Sequence, residues 1–385
     1  MTYIKTVLLT IVISLTCLLT GCGEEYLQDQ LPWDLRKNMD STVVEGARFY
    51  KDIPYGEADR QKFDFIIPEC ETACPVVIYI HGGAFWSGDK KAAHTFKRKQ
   101  RKDENGDPVL DENGNVIVDV YDDAENGRYV YATQELLERG IAVATINYRY
   151  INKDTREDLG LLDKPLADVT RAVQAVKAWG LGLGASAERV MLSGSSAGAG
   201  AALWLAFSDD KKRPESADKI EQISTRVKGV YAYKTQATYD ILKWDQEVMP
   251  DVNAVNELLG GNSQLASARK LIMKAYKMDS FNTRSDLLTS EVSEKRRNLD
   301  ILSLMTPDDP EIWVDSTSVQ GTYQNLKTED AFYHGPEHAV ALHNRAQQLG
   351  LTHTAVIKNS SGQDQYLSGP QDANAFDFAE RILGM

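Results

Sequence analysis

The sequence feature that most constrains the fold is a glycine-bounded serine motif between two apolar segments. Gly194-Ser195-Ser196-Ala197-Gly198 follows the apolar run at residues 190–192 and precedes a helical segment of small residues, Ala197–Phe207. A strand that turns directly into a helix leaves no room for side chains beside the central serine, so the flanking positions need glycine. The pattern predicts a strand–turn–helix that exposes Ser196 as a nucleophile above a helix N-terminus. The alternative is a glycine-rich helix start without chemistry.

A second motif of small residues follows another predicted strand. His81-Gly82-Gly83-Ala84-Phe85 comes directly after the apolar residues 76–80. Consecutive small residues let backbone N–H groups point into a site, and acyl transfer needs such donors where negative charge develops on oxygen. We expect Gly82, Gly83 and Ala84 to form an oxyanion hole with the N–H of Ala197. His81 is expected to be a structural hydrogen-bonding residue of this loop, and the alternative for the whole motif is a tight turn.

Apolar runs and helical patterns alternate along the chain from residue 43. This alternation predicts an α/β fold with a mostly parallel central sheet and helices on both faces. Both motifs then lie at carboxyl ends of strands, where open α/β sheets bind ligands. The predicted strands are residues 76–80, 141–146, 190–192, 227–231, 312–314 and 354–357, and the predicted helices are residues 134–139, 165–179, Ala197–Phe207, Pro336–Leu349 and 373–383.

Two insertions interrupt this pattern, at about residues 90–128 and 235–300. The first is acidic, and Asn113-Gly114 within it predicts a tight hairpin turn. A calcium-binding loop is a more specific alternative to this hairpin, but Val116 occupies the position at which such a loop requires glycine. Its ligands would be Asp111, Asn113, Asn115 and Asp119. The second insertion is polar and helical, and we expect it to form a cap over the site.

Several segments in the first half of the chain resemble one known family. They are Asp52-Ile53-Pro54-Tyr55-Gly56, Phe63-Asp64-Phe65, residues 75–89 with the His81-Gly82-Gly83 motif, Asn147-Tyr148-Arg149, residues 168–179 and residues 190–198. Together they resemble the hormone-sensitive-lipase and carboxylesterase-like α/β-hydrolases, from about residue 43 to 207 apart from the first insertion. The resemblance implies an α/β-hydrolase fold and hydrolysis of carboxylic esters, including acyl groups on sugars and cell-wall polysaccharides.

The acid and the base that should activate Ser196 are harder to identify from the sequence than the nucleophile itself. On this fold the order is serine, acid, histidine, so the acid should follow the strand at 312–314. Asp330 is the first candidate and Asp315 the second. The base should lie in the loop at residues 358–370, but Gln363, Asp364 and Gln365 stand there. The chain's six histidines are His81, His94, His334, His338, His343 and His353, and none has this topology.

Three hypotheses follow from this gap. The first is a serine carboxylic-ester hydrolase with an atypical base, for which His334, His338 and Asp364 are candidates. The second is a pseudo-esterase that binds an acylated glycan or another ligand in its cleft, because a serine without a base is a weak nucleophile. The third is an interaction protein that acts through the hairpin. Ester hydrolysis by side chains and backbone donors implies neither an organic cofactor nor a metal.

The N-terminus predicts export. Lys5 precedes an apolar run at residues 7–19, which is too short for a comfortable membrane span. The run ends at Leu19-Thr20-Gly21-Cys22, which resembles a bacterial lipobox; a plain secretory signal is the alternative. We expect a signal peptide at 1–21, lipid on Cys22, a tether at 22–42 and the hydrolase domain at 43–385. The lipid would anchor the protein to a membrane of the cell envelope.

Cysteine use and charge complete this description. Cys70 and Cys74 lie four residues apart before a strand and are expected to form a disulfide outside the cytoplasm, with two free thiols as the alternative. No histidine or further cysteine lies at ligand spacing from them, so no metal site is expected there. The formal net charge of −13 argues against a nucleic-acid partner, because phosphates would be repelled.

Overall fold

The computed structural model describes residues 46–95, 97–100, 103, 107–110, 118–121, 124–151, 162–369 and 371–385. The strands are β1 Arg48–Pro54, β2 Lys62–Ile67, β3 Cys74–Ile80, β4 Lys97–Gln100, β5 Val118–Tyr121, β6 Ala142–Ile146, β7 Ala185–Ser195, β8 Gly229–Tyr233, β9 Glu311–Gln320, β10 His353–Lys358 and β11 Asp364–Tyr366. The helices are α1 Ala124–Glu138, α2 Asp163–Leu183, α3 Ala197–Phe207, α4 Ile241–Lys243, α5 Ala254–Leu259, α6 Ala266–Ala275, α7 Ser290–Asn298, α8 Ile301–Leu304, α9 Tyr323–Leu326, α10 Glu329–His334, α11 Pro336–Leu349 and α12 Ala375–Leu383.

A nine-stranded sheet in the order β1-β2-β6-β3-β7-β8-β9-β10-β11 forms the centre of the fold. The six strands from β6 to β10 in this order run parallel, and they are the six that the apolar runs predict. Strands β1 and β2 at one end of the sheet and β11 at the other pair antiparallel with their neighbours. Strand β11 lies within residues 358–370, where the sequence predicts a loop. Its three residues are exposed and show no apolar pattern that would indicate a strand.

Helices cover both faces of the sheet, as the sequence predicts. Along β3, Val76 and Ile78 pack in a core with residues of α2, α3 and α11. Val77, between them, points to the opposite face and packs with residues of α1 and α12. This alternation follows from the two-residue period of a strand. Helix α1 begins at Ala124 rather than at the predicted residue 134, because its polar first half carries no apolar stripe.

The two insertions fold as separate additions to this scaffold. In the first, β4 pairs antiparallel with β5, as expected for a hairpin, while the predicted turn at Asn113-Gly114 lies outside the described residues. The calcium-ligand candidates Asp111, Asn113 and Asn115 also lie outside them. The residues between β8 and β9 form helices α4 to α8, and their position agrees with the predicted cap.

Three further observations bear on the predictions from sequence. Cys70 and Cys74 form the expected disulfide at the start of β3, with the sulfur atoms 2.04 Å apart.

Among the described residues, no helix has both the length and the hydropathy needed to span a membrane. The same residues contain no group of three or more histidine, cysteine or acidic side chains arranged to hold a metal ion. Cys22 and the rest of the predicted signal and tether, residues 1–42, lie outside the described part of the chain.

Candidate active site

The backbone at Ser196 has the strained geometry of a tight strand-to-helix turn. Ser196 follows β7 directly, has φ 51° and ψ −122°, and precedes α3. A Cβ on Gly198 would lie 2.1 Å from the carbonyl oxygen of Ile80, and one on Gly194 would lie 2.5 Å from Gly198. Contacts this short are not tolerated, so both glycines of the motif are required by the space available.

A histidine reaches the Ser196 hydroxyl from an unexpected element. His334 is the last residue of α10, and its Nε2 lies 2.8 Å from Ser196 Oγ. Its Nδ1 lies 2.7 Å from Oδ1 of Asp330, one helical turn earlier. With Nδ1–H donating to the carboxylate, Nε2 is free to accept the serine proton. The imidazole that contacts Ser196 thus comes from the segment after β9 and not from residues 358–370, and it belongs to one of the three candidate bases named from the sequence.

The local sequence explains why a six-residue helix forms at this point. The hydroxyl of Thr328 caps its N-terminus by accepting a hydrogen bond from the N–H of Ala331. Gly335 and Pro336 then end α10 and begin α11. The spacing of four residues places Asp330 and His334 on the same face of the helix. The hydrogen bond from His334 lowers the pKa of Asp330 below its usual range, although the carboxylate is 58% exposed.

The other candidate acids and bases have different partners. Asp315, the second candidate acid, accepts hydrogen bonds from the Tyr231 hydroxyl and from Thr317. Asp364, a candidate base, lies on β11 and pairs with the Lys358 ammonium group. His338, another candidate base, is fully buried between the backbone groups of Phe332 and Ala237. None of these three carboxyl and imidazole groups contacts Ser196 among the hydrogen bonds of the described residues.

The loop after β3 approaches the serine closely. A Cβ on Gly82 would lie 2.8 Å from the carbonyl oxygen of Ser195 and 3.2 Å from Cβ of Ser196, so the backbone would have to shift to admit a side chain. Gly83, Ala84 and Phe85 all have positive φ, at 107°, 51° and 61°. The carbonyl of Gly83 accepts hydrogen bonds from the N–H groups of Trp86 and Ser87. This run of left-handed residues is strained backbone, which is typical of functional loops.

The loop histidine is held in the neutral form by its surroundings. His81 Nδ1 donates to the carbonyl of Gly82 at 2.7 Å, and its Nε2 accepts from the Arg60 guanidinium at 3.2 Å. The ring stacks on Tyr148 with 4.3 Å between centroids. Burial lowers the pKa of His81 to about 4. These contacts agree with the structural role that the sequence predicts for this residue.

A cleft of about 680 Å³ surrounds Ser196 and His334. The second insertion supplies an apolar wall on one side, which we call the cap wall. It consists of Trp244, Leu271, Ile272 and Ala275, and Phe85 of the loop after β3 lines the same cleft. On the other side the hydroxyl of Tyr129 in α1 lies 2.6 Å from Oγ of Ser195, next to the candidate nucleophile. Lys234, Gln236, Glu329 and Asp330 give the cleft its polar side chains near His334.

The cap wall, Tyr129 and Gln236 are elements of the site that the sequence did not identify. They lie in segments whose helical pattern and polarity do not indicate which side chains come together in the folded protein. The sequence did contain an indication for His334. Asp330 and His334 are four residues apart, the spacing that brings two side chains together on a helix. That spacing becomes informative only if both residues are assigned to one helix.

Comparisons with known proteins agree with this fold. The BD-FAE family model, of an α/β-hydrolase-like family, matches residues 119–279, which include Ser196 but not His334. No curated protein matches the chain. A solved structure described as a truncated carbohydrate esterase from gut microbiota is 13% identical, with a TM-score of 0.54, and the match covers 90% of this chain and 99% of the other.

Two further solved structures resemble the chain more distantly. Esterase B from Lactobacillus rhamnosis, in an inhibited form, is 16% identical with a TM-score of 0.43, over 92% of this chain and 86% of the other. An acetyl ester-xyloside bifunctional hydrolase from Caldicellulosiruptor lactoaceticus is 12% identical with a TM-score of 0.44, over 85% and 80%. The chain therefore has the α/β-hydrolase fold, and the BD-FAE model matches less than half of its length.

Proposed function

We propose that the protein is a serine carboxylic-ester hydrolase with Ser196 as nucleophile, His334 as general base and Asp330 as the carboxylate that orients the base. The observation that carries the proposal is the continuous chain of contacts from Ser196 Oγ to His334 Nε2 and from His334 Nδ1 to Asp330. These are the distances and roles that define a catalytic triad, whatever the order of its members along the chain.

The proposed reaction uses only groups of this chain, the ester and water. Ser196 Oγ attacks the carbonyl carbon while its proton passes to His334 Nε2. The tetrahedral intermediate collapses, the bond to the alcohol oxygen breaks, and His334 returns the proton to the departing alcohol. Water then attacks the acyl-enzyme with His334 again as base, releasing the acid and restoring Ser196. Asp330 keeps Nδ1 protonated and stabilises the imidazolium that forms in each step.

The oxyanion hole proposed from the sequence fits this reaction. The N–H of Ala197 opens α3 and has no carbonyl four residues earlier in the helix to bond. Gly82, Gly83 and Ala84 lie in the strained loop beside Ser196. In the described part of the chain, the N–H groups of Gly83 and Ala84 bond to no protein acceptor. Donors that are already oriented stabilise the developing oxyanion without reorganisation, and one such donor is typically worth ~10²–10³ in kcat.

Acylated saccharides are the substrates we propose within this reaction class. The family resemblance includes esterases of sugars and cell-wall polysaccharides, and the solved structure with the TM-score of 0.54 is described as a carbohydrate esterase. The side of the cleft near Tyr129 and Lys234 offers polar groups for a hydroxylated alcohol, whereas the cap wall is apolar. The pseudo-esterase alternative rested on a missing histidine, and His334 removes that argument.

Hydrolysis of activated aryl esters tests the proposal. The full chain in mild detergent is assayed with 4-nitrophenyl acetate and butyrate, next to Ser196→Ala and to Ser263→Ala, an exposed serine of the second insertion. We expect hydrolysis well above background in the wild type and in the Ser263 variant, and none in Ser196→Ala. Equal rates in wild type and Ser196→Ala would overturn the proposal. Acetate release from an O-acetylated oligosaccharide, lost in the same variant, tests the substrate class.

We also propose that residues 1–21 are a signal peptide and that Cys22 carries the lipid that anchors the hydrolase domain to a membrane of the cell envelope. The support is the sequence pattern alone. Metabolic labelling with a clickable fatty acid in a bacterial host tests it. Label that appears in the wild type and disappears in Cys22→Ala supports the anchor, and label in neither protein contradicts it.

A further inference from the structure

The helix that carries both Asp330 and His334 is too short to be stable by itself. Helix α10 has six residues, whereas isolated helices shorter than about 12 residues are marginal in water. Its position therefore depends on groups outside it. A shift of ~1 Å in a catalytic group can cost ~10²-fold in rate, so whatever holds α10 also controls the approach of His334 to Ser196.

Three carbonyl groups near the end of α10, those of Ala331, Phe332 and Tyr333, each accept a hydrogen bond from a donor beyond the helix. The carbonyl of Ala331 accepts from the N–H of Gly335 at 3.0 Å. The carbonyl of Phe332 accepts from His338 Nε2 at 3.0 Å, and that of Tyr333 accepts from Gln236 Nε2 at 3.1 Å. These are carbonyls that a helix leaves unsatisfied at its C-terminus. Two of the three donors are side chains from other elements, α11 and the start of the second insertion.

His338 makes the most constrained of these contacts. The side chain is 0% exposed and stands edge-on against Trp244, with 4.5 Å between ring centroids. Nδ1 accepts from the N–H of Ala237 at 3.2 Å while Nε2 donates to Phe332. Both ring nitrogens are therefore used, and a single neutral tautomer satisfies them. The imidazole joins α10 to the chain that leads into the second insertion.

Gln236 makes the second link from that same chain. Its side chain is buried, lines the cleft and donates to the carbonyl of Tyr333, the residue before His334. Gln236 and Ala237 are consecutive, so two neighbouring residues at the start of the second insertion hold two neighbouring carbonyls of α10, one directly and one through His338.

We infer that His338 and Gln236 are positioning residues, which act through α10 to hold His334 in line with Ser196; the inference rests on the proposed function. Neither side chain touches the reacting atoms. Their effect is on catalysis more than on substrate binding, because the misplaced group is the base and not a wall of the cleft.

The test compares variants that differ in hydrogen bonding at the same position. His338→Leu removes both bonds, whereas His338→Gln keeps one donor and one acceptor. Gln236→Leu removes the bond to Tyr333. His343→Gln, a half-buried histidine on the same helix α11, is the control. Circular dichroism and urea unfolding measure the folded fraction without relying on the reactivity of Ser196, so kcat refers to folded protein in every variant.

We expect His338→Leu to lower kcat by about 10- to 100-fold with KM within about two-fold, and His338→Gln to restore most of that loss. Gln236→Leu is expected to lower kcat by a smaller factor, and His343→Gln to change nothing. In a His334→Ala background, His338→Leu should cause no further loss, because the base it positions is absent.

Three outcomes overturn the inference. One is a kcat unchanged by His338→Leu, and another is an equal loss in His338→Gln and His338→Leu. The third is an additional loss in the His334→Ala background, which would assign His338 a general structural role. Failure of the proposed function looks different, because then the wild type has no Ser196-dependent hydrolysis with which any variant can be compared.

Discussion

Asp330 and His334 lie one helical turn apart on α10, with His334 Nδ1 2.7 Å from the carboxylate and His334 Nε2 2.8 Å from Ser196 Oγ. The sequence order of the fold predicts an acid and a base on two separate loops, after two neighbouring strands. Here one helix after β9 carries both the proposed acid and the proposed base, and β10 leads into the antiparallel strand β11 instead. The mutual geometry of the two side chains is set by helix periodicity.

Substitution of the two residues is expected to have unequal effects. His334→Ala removes the base and should lower kcat by about 10³- to 10⁴-fold with activated esters. Asp330→Asn should cost less, about 10²-fold, because the carboxylate is 58% exposed and water can partly replace it as acceptor from Nδ1. Initial rates at saturating substrate measure both effects.

Asp315→Asn is the matched control for the acid. Asp315 was the second candidate from sequence, and in the structure it bonds Tyr231 and Thr317 instead of a histidine. We expect its kcat to stay within about three-fold of wild type. A loss in Asp315→Asn that exceeds the loss in Asp330→Asn would show that Asp330 is not the carboxylate that orients the base.

The parallel strands of the fold were predictable because each is an uninterrupted apolar run between two covered faces. Val76 and Ile78 are buried on one face of the sheet and Val77 on the other. Odd and even positions of the strand are therefore both apolar. Strand β11 was missed because it lacks such an apolar run. In β11 all three residues are exposed, and an edge strand of polar residues has no hydrophobic pattern to reveal it.

The candidate site was predictable only where chemistry constrains the backbone. Gly194, Gly198 and Gly82 are forced by contacts that leave no room for a Cβ, and such glycines mark the sequence. The spacing of Asp330 and His334 pairs their side chains, but their position beside Ser196 is set by tertiary structure. Nothing in the local sequence shows that α10 lies next to Ser196, so an expectation based on the usual strand order sought the base in residues 358–370 instead.

The motif glycines should be far less tolerant of alanine than a surface glycine. In Gly198→Ala the new methyl group would overlap the carbonyl of Ile80, at 2.1 Å, and β3 and α3 would have to separate. We expect a loss of more than about 3 kcal/mol in the free energy of unfolding, or failure to fold. Gly369→Ala, with open space around its Cα, should stay within about 0.5 kcal/mol. Urea unfolding at pH 7 measures both, and equal stability of the two variants would contradict the packing argument.

Acid should destabilise the protein through its buried neutral histidines. Burial lowers the pKa of His81 and of His338 from 6.5 to about 4. Between these values the unfolded chain binds protons that the folded chain does not, so stability is full above pH 6.5 and falls as the pH drops toward 4. Each histidine contributes a loss of about 3 kcal/mol when the drop is complete.

Urea unfolding between pH 7 and 4.5 measures this dependence. The variant His338→Gln lacks one of these two imidazoles, so its stability should fall less steeply with acid than that of the wild type. His343→Gln, which removes a half-buried imidazole from the same helix, should reduce the slope less. The pH argument fails if the wild type and His338→Gln lose the same free energy over this range.

The cap wall should select the length of the acyl chain. Leu271 and Ile272 of α6 face the cleft with Trp244, and a longer alkyl chain buried against them gains about 0.8 kcal/mol for each methylene. Leu271→Trp fills part of this space. We expect kcat/KM for 4-nitrophenyl octanoate to fall at least about 10-fold, with the acetate ester within about three-fold of wild type.

Leu288→Trp is the matched control, because Leu288 lies in the same insertion and is 59% exposed. It should leave the ratio of the two rates unchanged. If the cap wall contacts the acyl chain, the loss of kcat/KM in Leu271→Trp should grow with chain length. Each added methylene then meets the introduced indole ring instead of open space in the cleft. Equal losses for acetate and octanoate would place the acyl chain elsewhere in the cleft and leave this wall to the alcohol portion of the ester.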